Sequence, residues 1–186
     1  MRFGFGLALV ATAFIAGPAF AQTSLTAANL GIDGLADPAP VPAAEASPAM
    51  APLSALVADH EGAETANEES ECLARAVYWE SRGEPLSGQL AVAEVIINRA
   101  RSGRFAPTLC GVVRQPYQFS FVRRGYIPQP PQTSRDWRTA VAIARIATDR
   151  LAEGGAPRAL FFHARRINPG WRLTRVATVG NHVFYR

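Results

Sequence analysis

Two glutamates on either side of a tight turn are the first candidates for chemistry. They lie in the segment Tyr78-Trp79-Glu80-Ser81-Arg82-Gly83-Glu84-Pro85. Glu80 follows two bulky aromatics, and a carboxyl in such surroundings is partly desolvated. Desolvation raises its pKa and suits it to act as a general acid. The purely structural alternative is a salt bridge to Arg75 or Arg82. Glu84 stands before a proline, where a carboxylate is expected to cap the next helix or brace the turn. Five further acids follow residue 70 in the chain. Glu71 and Asp136 fit helix first turns, where the dipole favours them. Asp149 and Glu153 are expected to pair with Arg145 or Arg150. Glu94 falls in an apolar run, with Arg99 or Asn98 as partner.

Other chemistries find less support. His163 and His182, with one glutamate, would suffice for a three-ligand zinc site of an amidase. No HExxH or Cys-x-x-Cys spacing accompanies them. Substrate contact and structural hydrogen bonding are therefore the readings kept for both, and neither a metal nor a cofactor is expected. Ser81 and Ser120 lack the surroundings of an activated nucleophile. Phe119, Tyr126 and Trp171 offer rings that can stack on sugars, with packing in the core or at a rim as the alternative. Cys72 and Cys110 are the only cysteines. In an exported chain one disulfide between them is the simplest reading.

The elements that must position these groups read as α+β. A first helix starts in the acidic run Asn67 to Glu71, carries Leu73, Ala76, Val77 and Glu80 at helical spacing, and ends by Gly83. Pro85 drives Glu84 out of the helical region. A second helix covers Leu86 to Ala100 and stops at Ser102-Gly103. Its run Leu90 to Ile97, broken only by Glu94, is apolar nearly all round, which predicts a central buried helix. Pro107 to Gln129 reads as irregular, with a short strand at Gln118-Phe119-Ser120-Phe121. A third helix is capped by Thr133 or Ser134 and carries the stripe Trp137, Ala140, Val141, Ala144, Ala147, Thr148 and Leu151. Gly154-Gly155 and Pro157 end it. Leu160 to Phe162, Val176 to Thr178 and His182 to Tyr185 read as strands of a small sheet.

The first 70 residues have a different character. Residues 1–21 resemble a secretory signal: Arg2, then an apolar run, the Gly17-Pro18 break and the small-x-small site Ala19-Phe20-Ala21 before Gln22. An uncleaved anchor is the alternative, and no later segment is long and apolar enough to span a membrane. Residues 22–70 hold 13 Ala, 5 Pro and 8 acids with no base and no aromatic. Such a stretch cannot bury enough apolar surface to offset its chain entropy, so a disordered acidic linker is expected. Asp37 to Pro42 favours polyproline II, with a weak helical patch near Leu53 to Ala58 and a solvated His60. Residues 71–186 form the expected folded domain.

That domain carries 18 Arg against 7 acids, and the whole chain has no Lys. A coding bias accounts for the absence of lysine, with anion or glycan recognition as the functional alternative. The basic field attracts anionic polymers. In an exported protein these are envelope components rather than nucleic acid. The expected location is the periplasm or outer envelope, and the expected state a monomer.

The segment Tyr78 to Pro85, followed by Gly88-Gln89-Leu90-Ala91-Val92-Ala93, resembles the SleB-type cell-wall hydrolases. Ile97-Asn98-Arg99, Cys110-Gly111-Val112-Val113, Gln118-Phe119-Ser120-Phe121 and Gly180-Asn181-His182-Val183-Phe184-Tyr185 match the same family in order. The resemblance implies a mainly helical domain distantly like lysozyme and resuscitation factors, with a small sheet. It implies a peptidoglycan hydrolase that cleaves between N-acetylmuramic acid and N-acetylglucosamine as a lytic transglycosylase, with Glu80 as the catalytic acid. Candidate substrate contacts are then Gln118, Phe119, Ser120, Tyr126, His163, Trp171 and His182, with Glu84 and Asn98 structural. Many family members carry further cysteines around the Gln-Phe-Ser-Phe motif. Tyr117 and Arg123 stand in the corresponding places here, so a second bridge is lost. An N-acetylmuramoyl-L-alanine amidase and a non-catalytic peptidoglycan-binding domain are the alternatives.

Overall fold

A computed structural model of the protein describes residues 51–186. The expected signal, its cleavage site and the polyproline string lie outside the described residues. Five helices precede a three-stranded sheet: α1 Leu53–His60, α2 Glu68–Ser81, α3 Leu86–Arg101, α4 Leu109–Arg114, α5 Arg135–Asp149, then β1 Phe161–Ala164, β2 Arg175–Val179 and β3 His182–Tyr185. No helix among the described residues is long and apolar enough to cross a membrane.

Local chemistry sets most boundaries. Asn67 and Ser70 form a reciprocal capping box at the start of α2, with Glu68, Glu69 and Glu71 in its first turn. Arg82 leaves helical geometry, Gly83 takes φ +83°, and Pro85 opens α3. α3 is the central helix the apolar run predicts, with Leu90 to Ala93 and Val95 to Ile97 all buried. Ser134, not Thr133, caps α5 by accepting from the Trp137 N–H. α5 ends at Arg150 in the left-handed region, before Gly154, which leaves Leu151 outside the helix and partly exposed.

Three expectations are corrected. The helical patch expected near Leu53 to Ala58 is α1, but it is not part of a disordered linker: it presents Val57 to the main core, with Leu53 and Leu56 packed beside it. The segment after Pro107 contains α4, whose start is bound from outside. The Glu69 carboxylate of α2 accepts the Leu109 N–H at 2.5 Å, and Cys110 is disulfide-bonded to Cys72. The residues Gln118 to Phe121 form turns rather than a strand. Gln118 donates its N–H to Gln115 O and Val122 donates to Phe119 O, bonds that replace a ladder.

The sheet is antiparallel in the order β1-β3-β2, with Phe162 opposite Phe184 and His163 opposite Val183. Phe184 enters a second core with Ala91, Val92 and Val95 of α3 and Ala156 and Ala159 of the preceding loop. This loop lies against α3 so closely that a Cβ on Gly154 would strike the Ala91 backbone. Glu94 explains its own presence there. It accepts the Gly154 N–H at 2.8 Å rather than pairing with Arg99 or Asn98.

Candidate active site

The end of α2, the turn to α3, β1 and the β2–β3 turn enclose a cavity of about 390 Å³ lined by Glu80, Glu84, Arg99, Gln118, His163 and His182, among others. Glu80 occupies the last turn of α2 and faces this space. Neither expected ion-pair partner reaches it. Arg75 bonds Glu71 and the Ile127 carbonyl. Arg82 donates to the Tyr78 hydroxyl and lies over both the Tyr78 and Trp79 rings, 5.1 Å from each centroid. Among the described residues no hydrogen bond or salt bridge is made to the Glu80 carboxyl. Burial pushes its pKa up to about 7, partly offset by the positive charge of Arg99.

Arg99 is a cavity residue that sequence reasoning named only as a partner for Glu94 and within a family motif, not as part of the site. It is 5% exposed, donates Nε–H to Leu160 O at 2.7 Å, and is surrounded by Phe105, Phe119 and Phe161 at 5.0 to 5.8 Å. Its buried Nη1 has no partner. Burial lowers its pKa to about 10, and Glu80 acts in the opposite direction. A charged residue inside an apolar helix was the available signal. The expected structural residue beside it, Asn98, donates Nδ2–H to Ala159 O and anchors the loop before β1.

Glu84 caps no helix. Its two oxygens accept the backbone N–H of Asn181 at 2.8 Å and the Asn181 side-chain amide at 3.2 Å, which joins the α2–α3 turn to the β2–β3 turn. Both oxygens of the second cavity carboxylate are thus engaged by Asn181.

The two histidines have different surroundings. His163 is bonded through both nitrogens, to Ala164 O and to the Tyr185 hydroxyl. His182 is buried edge-on to Phe162, and its Nδ1 has no partner. Burial lowers its pKa, with Glu84 opposing and His163 and Arg166 adding to the shift. One other donor cluster, Glu68 with Cys72 and Cys110, has both its sulfurs joined in the disulfide.

The expected sugar contacts divide. Gln118 lines the cavity. Phe119 is 4% exposed and belongs to the core beneath Arg99, so it cannot stack on a sugar. Ser120 lies in a neighbouring cleft, and Tyr126 projects from a turn, largely exposed. Trp171 does not line the cavity; it is exposed and packs edge-on against His163, which does, and against Tyr185. Besides Arg99, the cavity includes Phe162, Arg166 and Asn181, which sequence reasoning did not single out.

Comparison with known proteins identifies the family and the fold. The family model described as Cell Wall Hydrolase matches residues 83–185, and the chain belongs to this family. The match begins just after Glu80. A spore cortex-lytic enzyme of Halalkalibacterium halodurans is 38% identical over 114 residues, covering 60% of this chain and 33% of that protein. The spore cortex-lytic enzyme of Bacillus subtilis is 34% identical over 146 residues, covering 74% and 44%. The alignments thus span less than half of the length of these relatives. The fold is similar to the catalytic domain of the germination-specific lytic transglycosylase SleB from Bacillus anthracis, with a TM-score of 0.56 and 30% identity over 67% of this chain and all of that one. The catalytic domain of the Bacillus cereus SleB protein gives 0.51, also at 30% identity.

Proposed function

We propose that this cell wall hydrolase family member is a lytic transglycosylase that cleaves peptidoglycan between N-acetylmuramic acid and N-acetylglucosamine, with Glu80 as its single acid and base. The observation that carries the reading is the state of the two cavity carboxyls. Glu80 is unpaired and holds its proton to about pH 7, while both oxygens of Glu84 are engaged by Asn181. Paired-acid glycosidases need a second free carboxylate, as base or nucleophile. A transglycosylase does not.

Protonated Glu80 gives its proton to the glycosidic oxygen as the bond to the muramoyl C1 breaks. The resulting carboxylate, stabilised by Arg99, then takes the proton of the muramoyl 6-hydroxyl. That oxygen attacks C1 and closes a 1,6-anhydro ring. The released N-acetylglucosamine has a free 4-hydroxyl, and Glu80 ends the cycle protonated. Low local dielectric strengthens the action of Arg99 on the carboxylate. Gln118, His182 and Trp171 are the proposed sugar contacts; the unpartnered Nδ1 of His182 supports its place among them.

The relatives named for cortex lysis and lytic transglycosylation support this reaction over amide cleavage. The engaged ring of His163 argues against a zinc-ligating role for it. An extracytoplasmic location fits a peptidoglycan substrate and the signal-like residues 1–21. Mass spectrometry of digested sacculi tests the reading. Anhydromuramic ends are the expected products, whereas new reducing ends or free stem peptides would replace it with hydrolysis or amidase action.

A further inference from the structure

A wider cleft of about 800 Å³ adjoins the catalytic cavity, and Gln118 lines both. Its walls include Arg114, Arg123 and Arg124 and no carboxylate. Arg114 is held by Glu68 at 2.8 Å. Arg123 and Arg124 are exposed and make no salt bridge among the described residues. They are presented by a closed turn: Arg123 and Tyr126 exchange both backbone hydrogen bonds, at 3.0 and 2.9 Å.

Within that turn Arg124 has φ +51° and Gly125 φ +78°. These signs belong to the hairpin turn whose first central position favours Asn, Asp or Gly. An arginine there holds a backbone conformation that L side chains rarely adopt. Tyr117, fully exposed on the same cleft, also has positive φ. A strained residue, Arg124, that presents charge into a cleft adjoining the Glu80 cavity points to a ligand.

We propose that this cleft binds the free carboxylates of the stem peptides on the glycan strand whose sugars occupy the Glu80 cavity, so that strands with free peptide carboxylates are cleaved in preference to strands in which these are neutralised. The inference rests on the glycan-cleaving reading above. In a peptide-bearing strand the acetylated amino sugars are neutral, because each muramoyl lactyl carboxyl is taken up in the amide to its peptide. The carboxylates on such a strand belong to the lactyl-linked peptides, carried by the muramoyl residue next to the scissile bond. Arginine forks suit carboxylates through paired charge-assisted hydrogen bonds.

The test compares peptide-bearing glycan strands with the same strands after their peptide carboxylates have been converted to neutral amides, counting new chain ends per unit time. Wild type is expected to cleave the strands with free carboxylates several-fold faster, with the ratio shrinking as salt rises towards 1 M. In the Arg123→Gln/Arg124→Asn double variant the ratio should fall towards one. Arg124→Asn alone should lower the ratio while raising the melting temperature, because asparagine suits the left-handed turn. A purely structural arginine would not produce that pair of effects. Equal wild-type rates on the two substrates, or an unchanged ratio in the double variant, would overturn the proposal. Failure of wild type to open either glycan would instead remove the reaction on which it rests.

Discussion

Glu84 and Asn181, 97 residues apart, are joined by two hydrogen bonds that close the α2–α3 turn onto the β2–β3 turn. The contact holds together two walls of the cavity that Glu80 faces. Gly180 beside it has φ +56°, and a Cβ there would strike the Glu84 carboxylate.

Glu84→Ala should therefore cost about 1–3 kcal/mol in chemical unfolding, the range for hydrogen bonds to a charged group. Gly180→Ala should be at least as harmful, since it combines positive-φ strain with a collision. Glu84→Gln retains an acceptor for the Asn181 N–H and should keep most glycan-cleaving activity. An inactive but fully folded Glu84→Gln protein would give Glu84 a direct role in the reaction.

The second expectation concerns α1. Val57 is buried against the main core, so removal of residues 51–63 should lower the melting temperature cooperatively. Val57→Ala should cost about 1–3 kcal/mol from lost burial and packing. Identical melting curves with and without this segment would return it to the status of a spacer.

What the sequence revealed followed the range of the interactions. α3 and α5 were legible because continuous apolar stripes and local punctuation at Ser134, Pro85 and Gly83 define them. α4 was not, because its start depends on Glu69, 40 residues away in the chain, and on the bridge to Cys72. Gln118 to Phe121 alternates like a strand, but no partner strand is placed beside it. The helical patch holding Val57 was legible, but the Ala-rich acidic composition around it concealed that the patch packs on the core. Glu80 was visible through its aromatic neighbours and through the family resemblance. Arg99 was hidden, since only the tertiary fold places its guanidinium among three phenylalanines near Glu80.

A third expectation concerns the disulfide between Cys72 and Cys110, which closes a loop with a sequence separation of 38. The chain-entropy model assigns such a loop about 4 kcal/mol. Cys72→Ser/Cys110→Ser should lose much of this in equilibrium unfolding, and α4 amides should gain hydrogen exchange first. Unchanged stability on reduction would show that Glu69 and the core alone hold α4.

The last expectation joins pH, activity and stability at Glu80. The general acid must be protonated at the start of the reaction, so the rate should fall as pH rises through about 7. Arg99 opposes the upward shift; Arg99→Met should move that decline to higher pH, beyond any loss of kcat. A merely structural Arg99 would lower the rate without moving the profile. Glu80→Gln should abolish cleavage while keeping sacculus binding, because the amide preserves shape but delivers no proton. The stability effect has a definite sign. The folded-state pKa is raised above the ordinary value of 4.5, so the contribution is fully present below that value and lost as pH rises through about 7. Glutamine never ionises. Above pH 7 the Glu80→Gln protein should thus be more stable than wild type, by up to about 3 kcal/mol. Equal stability across pH 4 to 9 would mean that the Glu80 carboxyl is solvated in the folded protein, and the proposed acid would lose its physical basis.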